Sequence, residues 1–221
     1  MKTIHKAGLA ASLLAVSSVA TADLTANIGY ASEYIFRGIP QKTSSASAGL
    51  DYEAGGFYAG TWAADVGDGL EVDVYGGYGG EVGDFTWGVG LTGYYYTGDF
   101  DETYEEINLS AGYSIATLDV AIGRYDSPPS DAVCNPTIPP TGCSPSDSDY
   151  TFYSLTLEHE GFFGKYGAFE QDFEGSYVEV GYGTSLAEID LGVSLVFADS
   201  DLVGDSDETI VFTVGKTFDL N

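Results

Sequence analysis

The stretch FTWGVGLT, residues Phe85–Thr92, alternates strictly between large apolar side chains and glycine or threonine. Successive side chains of a β-strand point to opposite faces of the sheet, so this period of two predicts a strand with one apolar and one small, polar face. A helix is disfavoured, because its apolar residues would recur every three or four positions. The stretch therefore predicts a strand whose two faces meet different surroundings.

The same alternation recurs through the chain as far as Ile210–Phe218, with turn-forming glycine, proline and aspartate between the alternating segments. Together these segments predict about twelve strands. We expect them near residues 24–37, 45–54, 57–66, 70–79, 85–97, 104–115, 117–126, 150–159, 164–172, 176–184, 188–198 and 208–218. No segment after residue 22 has the 18 consecutive apolar residues that a transmembrane helix would need.

The connections between the predicted strands fall into two length classes. Those after even-numbered strands are short, as at Gly55-Gly56, whereas most of those after odd-numbered strands are longer and more acidic, as at 38–44 and 127–149. Outer-membrane barrels have an even number of strands, short periplasmic turns and long external loops. The pattern predicts an all-β fold, an antiparallel up-and-down transmembrane β-barrel with both termini in the periplasm.

A soluble β-sandwich would also show alternating strands and glycine-rich turns. Three features favour the barrel instead. Tyr, Phe and Trp are concentrated near the segment ends of the apolar face, the opposite face is small and polar, and many strands approach ten residues.

The first 22 residues have the pattern of a secretory signal. Lys2 and Lys6 precede the apolar run Gly8–Ala20, and Ala20-Thr21-Ala22 is a small-x-small cleavage site. We expect cleavage before Asp23, which leaves residues 23–221 as the outer-membrane β-barrel domain.

The composition excludes other classes of protein. The chain has 34 acidic and 7 basic residues, a formal net charge of −27, and such a field repels nucleic acid. Disorder is unlikely because 44% of the residues are hydrophobic and 14% aromatic.

Cys134 and Cys143 are the only cysteines, and they lie in the proline-rich connection 127–149. A metal site would need further ligands nearby, and no histidine is close. In an oxidising compartment the pair is better interpreted as a disulfide that staples the loop. No cofactor and no metal are expected.

Three motifs, YIFRGIPQ at Tyr34–Gln41, GFYAGTW at Gly56–Trp62 and EVDVYGGY at Glu71–Tyr78, resemble the TorF family of porins, which is also catalogued as an uncharacterised proteobacterial group. The resemblance covers essentially the whole mature chain. Where that family often has Trp-x-Ser-Asn, this chain has Trp62-Ala-Ala-Asp65. The resemblance implies a β-barrel in the outer membrane of Gram-negative bacteria, among outer-membrane lipids and lipopolysaccharide.

The polar face of the predicted strands is acidic. A lumen that carboxylates surround favours cations over anions, so we expect passive diffusion of small, preferably cationic solutes. The alternative is a closed barrel whose carboxylates are hydrogen-bonded plug residues and which serves a structural, display or adhesion role through the Cys134–Cys143 loop, since twelve strands enclose only a modest interior. The candidate lumen residues are Glu33, Arg37, Asp51, Glu71, Asp73, Asp119 and Asp190.

Arg37 is one of few basic residues on that face, four positions after Glu33. It either forms a constriction charge that opposes the acidic ring or ties the first strand to neighbouring carboxylates. The second interpretation is favoured, because an inward arginine without a partner is costly.

The remaining charged residues have simpler explanations. Arg124 and Lys216 share the apolar face but lie near strand ends, where long side chains reach the membrane interface. The acidic loops are interpreted as solvated rather than as Ca²⁺ or Mg²⁺ sites that bridge lipopolysaccharide phosphates, since their spacing lacks that of a calcium loop. An enzyme is not expected, because His159 is the single histidine of the mature chain and no Gly-x-Ser-x-Gly elbow is present.

Overall fold

The computed structural model describes residues 22–126, 133–134, 143–144 and 147–221. Twelve antiparallel strands close into a barrel. Each barrel strand pairs with the barrel strands that come before and after it in the chain, and the first pairs with the last, for example at Ala26 and Phe218. The elements are β1 (Asp23–Phe36), β2 (Ile39–Ala54), β3 (Phe57–Gly67), β4 (Gly69–Val82), β5 (Phe85–Tyr96), β6 (Tyr104–Tyr113), β7 (Ala116–Tyr125), β8 (Val133–Cys134), β9 (Cys143–Ser144), β10 (Ser148–His159), β11 (Phe162–Gln171), β12 (Gly175–Leu186), β13 (Ile189–Ala198), α1 (Ser200–Val203) and β14 (Asp207–Asp219). The predicted all-β fold, a closed antiparallel barrel of twelve strands, is confirmed.

At one end of the barrel, five two-residue turns join the strands, at residues 55–56, 83–84, 114–115, 160–161 and 187–188. Such turns match the twist of the strands when their residues adopt positive φ. Glu160 and Gly161, for instance, have φ values of 50° and 85°. β1 begins and β14 ends at this same end, which we call the short-turn end.

The opposite end carries most of the longer connections, at 97–103, 126–147, 172–174 and 199–206, and is called here the long-loop end. One predicted loop is wrong. Residues 38–44 do not form a long connection, because Arg37 (φ 50°) and Gly38 (φ 86°) make a two-residue turn and β2 starts at Ile39. A Cβ at Gly38 would lie 2.7 Å from Tyr177 and 2.8 Å from Leu202, so the turn is pressed against the barrel mouth.

The outer surface of the barrel is a belt of exposed apolar side chains. Leu91 is 64% exposed, and Phe212 is 58% exposed. A contiguous apolar surface of this extent is rare on soluble monomers and is the expected lipid-facing surface of a membrane barrel. Among the described residues, no helix is long and apolar enough to cross a membrane.

In two strands the alternation of the sequence predicts Tyr34, Phe36, Tyr58 and Trp62 on the apolar outer face, whereas the structure has all four on the inner face. Tyr34 and Phe36 point inward, since the Tyr34 hydroxyl donates to Glu71 and the Phe36 ring meets the Tyr94 ring edge-on. Tyr58 packs inward over two glycines of β4 and β5, since a Cβ at Gly90 would lie only 2.2 Å from its hydroxyl. Trp62 shares the inner face with its register partner Asp73. These aromatic side chains therefore pack inside the barrel and do not face the lipid.

The interior at the long-loop end is filled by a set of buried side chains that we call the mouth cluster. Tyr150 is its most buried aromatic residue, with 2% of its surface exposed. Ile39 from the start of β2 and Leu202 from α1 pack against it from above. The mouth cluster consists of Ala121, Tyr150, Phe152, Phe169, Tyr177, Val196, Ala198 and Val211.

β8 and β9 form a separate two-stranded ladder within the connection between β7 and β10. Cys134 and Cys143 are direct register partners in it. Their side chains lie outside the described part of the structure, as does most of the surrounding connection, so the predicted disulfide stays a prediction.

Candidate functional site

Four charged side chains form a compact group inside the barrel near the mouth cluster. Arg37 enters from the turn between β1 and β2, Glu71 and Asp73 come from the inner face of β4, and Glu106 comes from the inner face of β6. We call this group the interior charge cluster. It brings together three carboxylates and one guanidinium.

Arg37 and Glu106 form a two-pronged ion pair across the interior. The guanidinium donates from Nη1 to Oε1 at 2.5 Å and from Nη2 to Oε2 at 2.8 Å. The Arg37 side chain is 13% exposed and that of Glu106 is fully buried. The guanidinium carbon also lies 4.8 Å from the ring centre of Phe36 and 4.3 Å from that of Phe152, so aromatic faces flank the cation.

Further donors surround the Glu106 carboxylate. The hydroxyl of Tyr94 donates to Oε2 at 3.1 Å, that of Tyr150 donates to Oε1 at 2.7 Å, and the Asn108 amide donates to Oε2 at 3.0 Å. A buried carboxylate needs such donors to offset its lost hydration. Glu106 is thus fully engaged within the protein.

Glu71 and Asp73 differ sharply in their surroundings. Glu71, which is 1% exposed, accepts hydrogen bonds from the hydroxyls of Tyr34 at 2.5 Å and Tyr96 at 3.0 Å. Asp73 is 4% exposed, and its Oδ1 is a buried side-chain atom without a hydrogen-bond partner among the described residues. The cluster therefore contains one carboxylate oxygen whose bonding capacity is unused.

The other predicted lumen residues are spread around the interior. Asp51 accepts from Asn27 at 3.1 Å and from the Tyr75 hydroxyl, and Asp190 accepts from Ser185 near the short-turn end. Asp119 is half-buried between its register partners Ser110 and Ser154. None of these residues belongs to the interior charge cluster.

Glu33 does not meet Arg37, although the two lie four positions apart on one predicted strand face. Its carboxylate accepts a hydrogen bond from Thr43 at 2.9 Å in exposed surroundings. The reason is the tight turn at Arg37-Gly38, which directs the guanidinium across the barrel to Glu106. Arg37 thus ties the first hairpin to a carboxylate inside the barrel, which is the second of the two arrangements considered from the sequence.

Sequence reasoning missed two interior charges. Glu106 has the same parity in its strand as Asn108 and Ser110, opposite the apolar Ile107 and Leu109, so the alternation contained the signal. Lys165 lies opposite Glu179 in register, on the inner face of β11. The alternation of apolar and polar residues is irregular in this strand, because the apolar Phe163 and the charged Lys165 share a face.

The remaining candidate residues lie away from the interior. Arg124 pairs with Asp147, and Lys216 pairs with Glu188 at 3.1 Å, both near strand ends. His159 ends β10 at the short-turn end. Within the described ranges, no group of three or more His, Cys, Asp or Glu side chains could hold a metal ion.

A comparison with known protein families finds one match. Residues 15–218 match the model of Gcw_chp, a family of bacterial proteins of unknown function. The chain belongs to the Gcw_chp family. No curated protein matches the sequence.

Solved structures of membrane proteins are similar to this Gcw_chp protein. A structure from work on the in-meso crystallization of membrane proteins has a TM-score of 0.59 and 9% identity, and the match covers 90% of this chain and 84% of that one. The porin NanC has a TM-score of 0.49 and 12% identity, with 89% and 100% covered. OpdK from Pseudomonas aeruginosa has a TM-score of 0.42 and 17% identity, with 89% of this chain and 61% of OpdK covered. At these identities the first match shows a shared fold alone.

Proposed function

We propose that this Gcw_chp protein is an outer-membrane porin through which small solutes, preferably cations, diffuse passively. Residues 1–22 are the cleaved export signal, and the short-turn end with both termini faces the periplasm. The exposed apolar belt, the unequal ends of the barrel and the resemblance to the TorF porins support this assignment. The NanC and OpdK structures are named as a porin and an outer-membrane protein.

The observation that carries the cation preference is the charge of the interior. Near the mouth, Glu71, Asp73 and Glu106 face the single guanidinium of Arg37. Farther along the interior, the carboxylates of Asp51, Asp119, Glu179 and Asp190 share the inner face with Lys165. Fixed charges inside a narrow, low-dielectric wall act strongly on a passing ion. A negative excess therefore lowers the energy of a cation and raises that of an anion.

Planar-bilayer recording of the refolded protein in a KCl gradient tests this function. The reversal potential should show preference for K⁺, and Asp73→Asn should lower the cation-to-anion permeability ratio about fivefold, because one unit charge at close range contributes roughly 1 kcal/mol even in water. Glu71→Gln should act in the same direction. Glu188→Gln, which removes a charge from the outside of the short-turn end, is the matched control and should leave the ratio unchanged.

A second function has a specific observation in its favour, because the mouth cluster fills the interior at the long-loop end. A barrel closed in this way would serve a structural or display role through its external loops. Bilayers that stay silent with protein shown by heat-modifiable gel migration to be folded would favour this role and overturn the channel. Anion preference would leave a channel but overturn its selectivity.

A further inference from the structure

The unused oxygen of Asp73 lies among groups that are all otherwise engaged. Both oxygens of Glu71 accept from tyrosine hydroxyls, and both oxygens of Glu106 accept from Arg37. Only Asp73 Oδ1 is buried without a donor among the described residues. A buried carboxylate oxygen in this position is costly unless a cation or a hydrogen-bond donor binds it.

The side chains beside Asp73 are aromatic. In the barrel register, Trp62 of β3 and Tyr94 of β5 are the direct partners of Asp73 on either side, so all three side chains stand on the inner face. The Trp62 ring also meets the Tyr34 ring edge-on, with 5.7 Å between their centres. Trp62 is half-buried, whereas Asp73 and Tyr94 are buried, so Trp62 is the most accessible of the three side chains.

We propose that Asp73, Trp62 and Tyr94 form a binding site for a small organic ammonium ion. The carboxylate accepts an N–H of the ammonium group through Oδ1, and the two rings hold its charged, apolar body by cation–π contact. A divalent metal ion is a poorer occupant, because it needs about six oxygen ligands and the neighbouring carboxylates are already engaged. This inference rests on the proposed function, because the ion must reach the site through the barrel interior. It narrows the proposed solutes from small cations in general to organic ammonium ions.

Trp62 provides a direct reporter for this site. The mature chain contains only two tryptophans, and the other one, Trp87, lies on the outer face with 38% of its surface exposed. In a Trp87→Phe background the emission therefore reports on Trp62 alone. Propylammonium chloride is titrated into the folded protein in detergent, with NaCl and MgCl₂ at the same ionic strength as reference salts.

The expected result is a saturable change in Trp62 emission with propylammonium that neither reference salt reproduces. Asp73→Asn should weaken the apparent affinity at least tenfold, whereas Glu188→Gln, which removes an exposed carboxylate outside the short-turn end, should leave it unchanged. If Asp73→Asn does not fold, propylammonium is titrated calorimetrically into Trp62→Leu and into the natural chain. The affinity of Trp62→Leu should again be at least tenfold lower.

Four outcomes would overturn the site: no saturable change in folded protein, an equal response to NaCl, an equal loss in Glu188→Gln, or an infrared band of a neutral carboxylic acid that disappears in Asp73→Asn and does not change when propylammonium is added. The last outcome would assign a proton to Asp73. Cation-selective conductance without propylammonium binding removes the site and leaves the proposed function. Propylammonium binding by a protein that conducts no current in bilayers would keep the site and overturn the proposed function.

Discussion

Arg37 and Glu106 lie 69 positions apart in the sequence and join the first hairpin to the sixth strand through two parallel hydrogen bonds, of 2.5 Å and 2.8 Å. The pair crosses the interior, because four strand pairings separate β2 from β6 around the barrel wall. It therefore fixes the Arg37-Gly38 turn over the mouth cluster, where Gly38 meets Tyr177 and Leu202. We therefore expect the stability of the barrel to depend on this pair.

Removing one partner of this pair should be far more harmful than removing both. Arg37→Met leaves the Glu106 carboxylate buried without its counter-ion and should lower the free energy of unfolding by about 3–5 kcal/mol. The double variant Arg37→Met/Glu106→Gln should recover most of that loss. Urea unfolding in phospholipid vesicles, followed by tryptophan emission, measures both. Lys42→Met, which breaks the more exposed pair with Asp65, is the control and should cost less than about 1 kcal/mol. A loss in Arg37→Met as small as that of the control would contradict the role of the pair.

Gly123 should not tolerate even a methyl group. A Cβ there would lie 2.2 Å from the ring of Tyr150, which is 2% exposed and held by its hydrogen bond to Glu106. Gly123→Ala should therefore destabilise the barrel by about 1–3 kcal/mol through overpacking. Gly80→Ala is the matched control, because its Cβ would meet the Trp87 ring at an ordinary 3.4 Å. The same vesicle unfolding assay compares the two, and equal stabilities would contradict the packing argument.

The strands could be predicted because their signal is local. Alternation at Phe85–Thr92 and its repeats located all twelve barrel strands to within a few residues, except that β2 starts at Ile39 rather than near 45. That error arose because residues 38–44 combine a turn signal with polar residues, whereas the structure continues the pairing through them. Ser44 has a φ of 64°, an irregularity within β2 that no period-two pattern reveals.

The interior was less predictable because its contacts join distant segments. The alternation of side chains correctly placed Glu71 and Asp73 inside. It could not show that Arg37 pairs with Glu106, because that pairing depends on the turn at Arg37 and on which strands face each other across the barrel. Parity also assigned Trp62 to the lipid face. An aromatic residue can serve either face of a barrel, and for Tyr58 the inner face is indicated only by the glycines that it packs over, Gly77 and Gly90, which lie on other strands.

Lys165 should oppose the passage of cations. It is the interior lysine opposite Glu179 on β12. Lys165→Gln should raise the cation-to-anion permeability ratio about two- to fivefold, because it removes a positive charge from the interior wall. Lys216→Gln is the control, since Lys216 pairs with Ile28 on the outer face. Reversal potentials in a KCl gradient give both ratios, and an unchanged ratio in Lys165→Gln would contradict an interior conduction path past this residue.

Cys134 and Cys143 should be oxidised in protein isolated from the membrane. Direct partners in an antiparallel ladder have Cα atoms about 4.5–5.5 Å apart, within the range that a disulfide requires. Thiol labelling of the unfolded chain, with and without prior reduction, measures this, and stoichiometric labelling without reduction would disprove the disulfide. Because β8 and β9 pair with no barrel strand in the described part of the chain, reduction should change the unfolding free energy of the barrel by less than about 0.5 kcal/mol.

The loop before β14 should loosen at low pH through Asp199. Its Oδ2 accepts from the amide of Ser176 at 2.8 Å and from the Ser176 hydroxyl at 2.7 Å, and its Oδ1 accepts from the Leu202 amide at 3.0 Å as the N-cap of α1. Partial burial raises the pKa of this carboxyl, but these hydrogen bonds outweigh it and hold the pKa below its ordinary value. A lowered folded-state pKa means that the stabilisation is complete above the pKa of the unfolded chain, near 3.9, and is lost as the pH falls through the lower folded value.

Amide hydrogen exchange at Leu202 tests this dependence. Asp199→Ala should lower the local opening free energy by about 1 kcal/mol at neutral pH, a modest amount because the carboxyl is only partly buried. Asp199→Asn retains an N-cap acceptor and should keep part of the protection but lose its dependence on acid pH. Asp205→Ala, in the same connection, is the control. Protection in the natural chain that stays constant down to pH 2, or falls equally in Asp199→Asn, would show that another group sets the response, because only the ionised Asp199 carboxylate can accept from Ser176 and Leu202 at once.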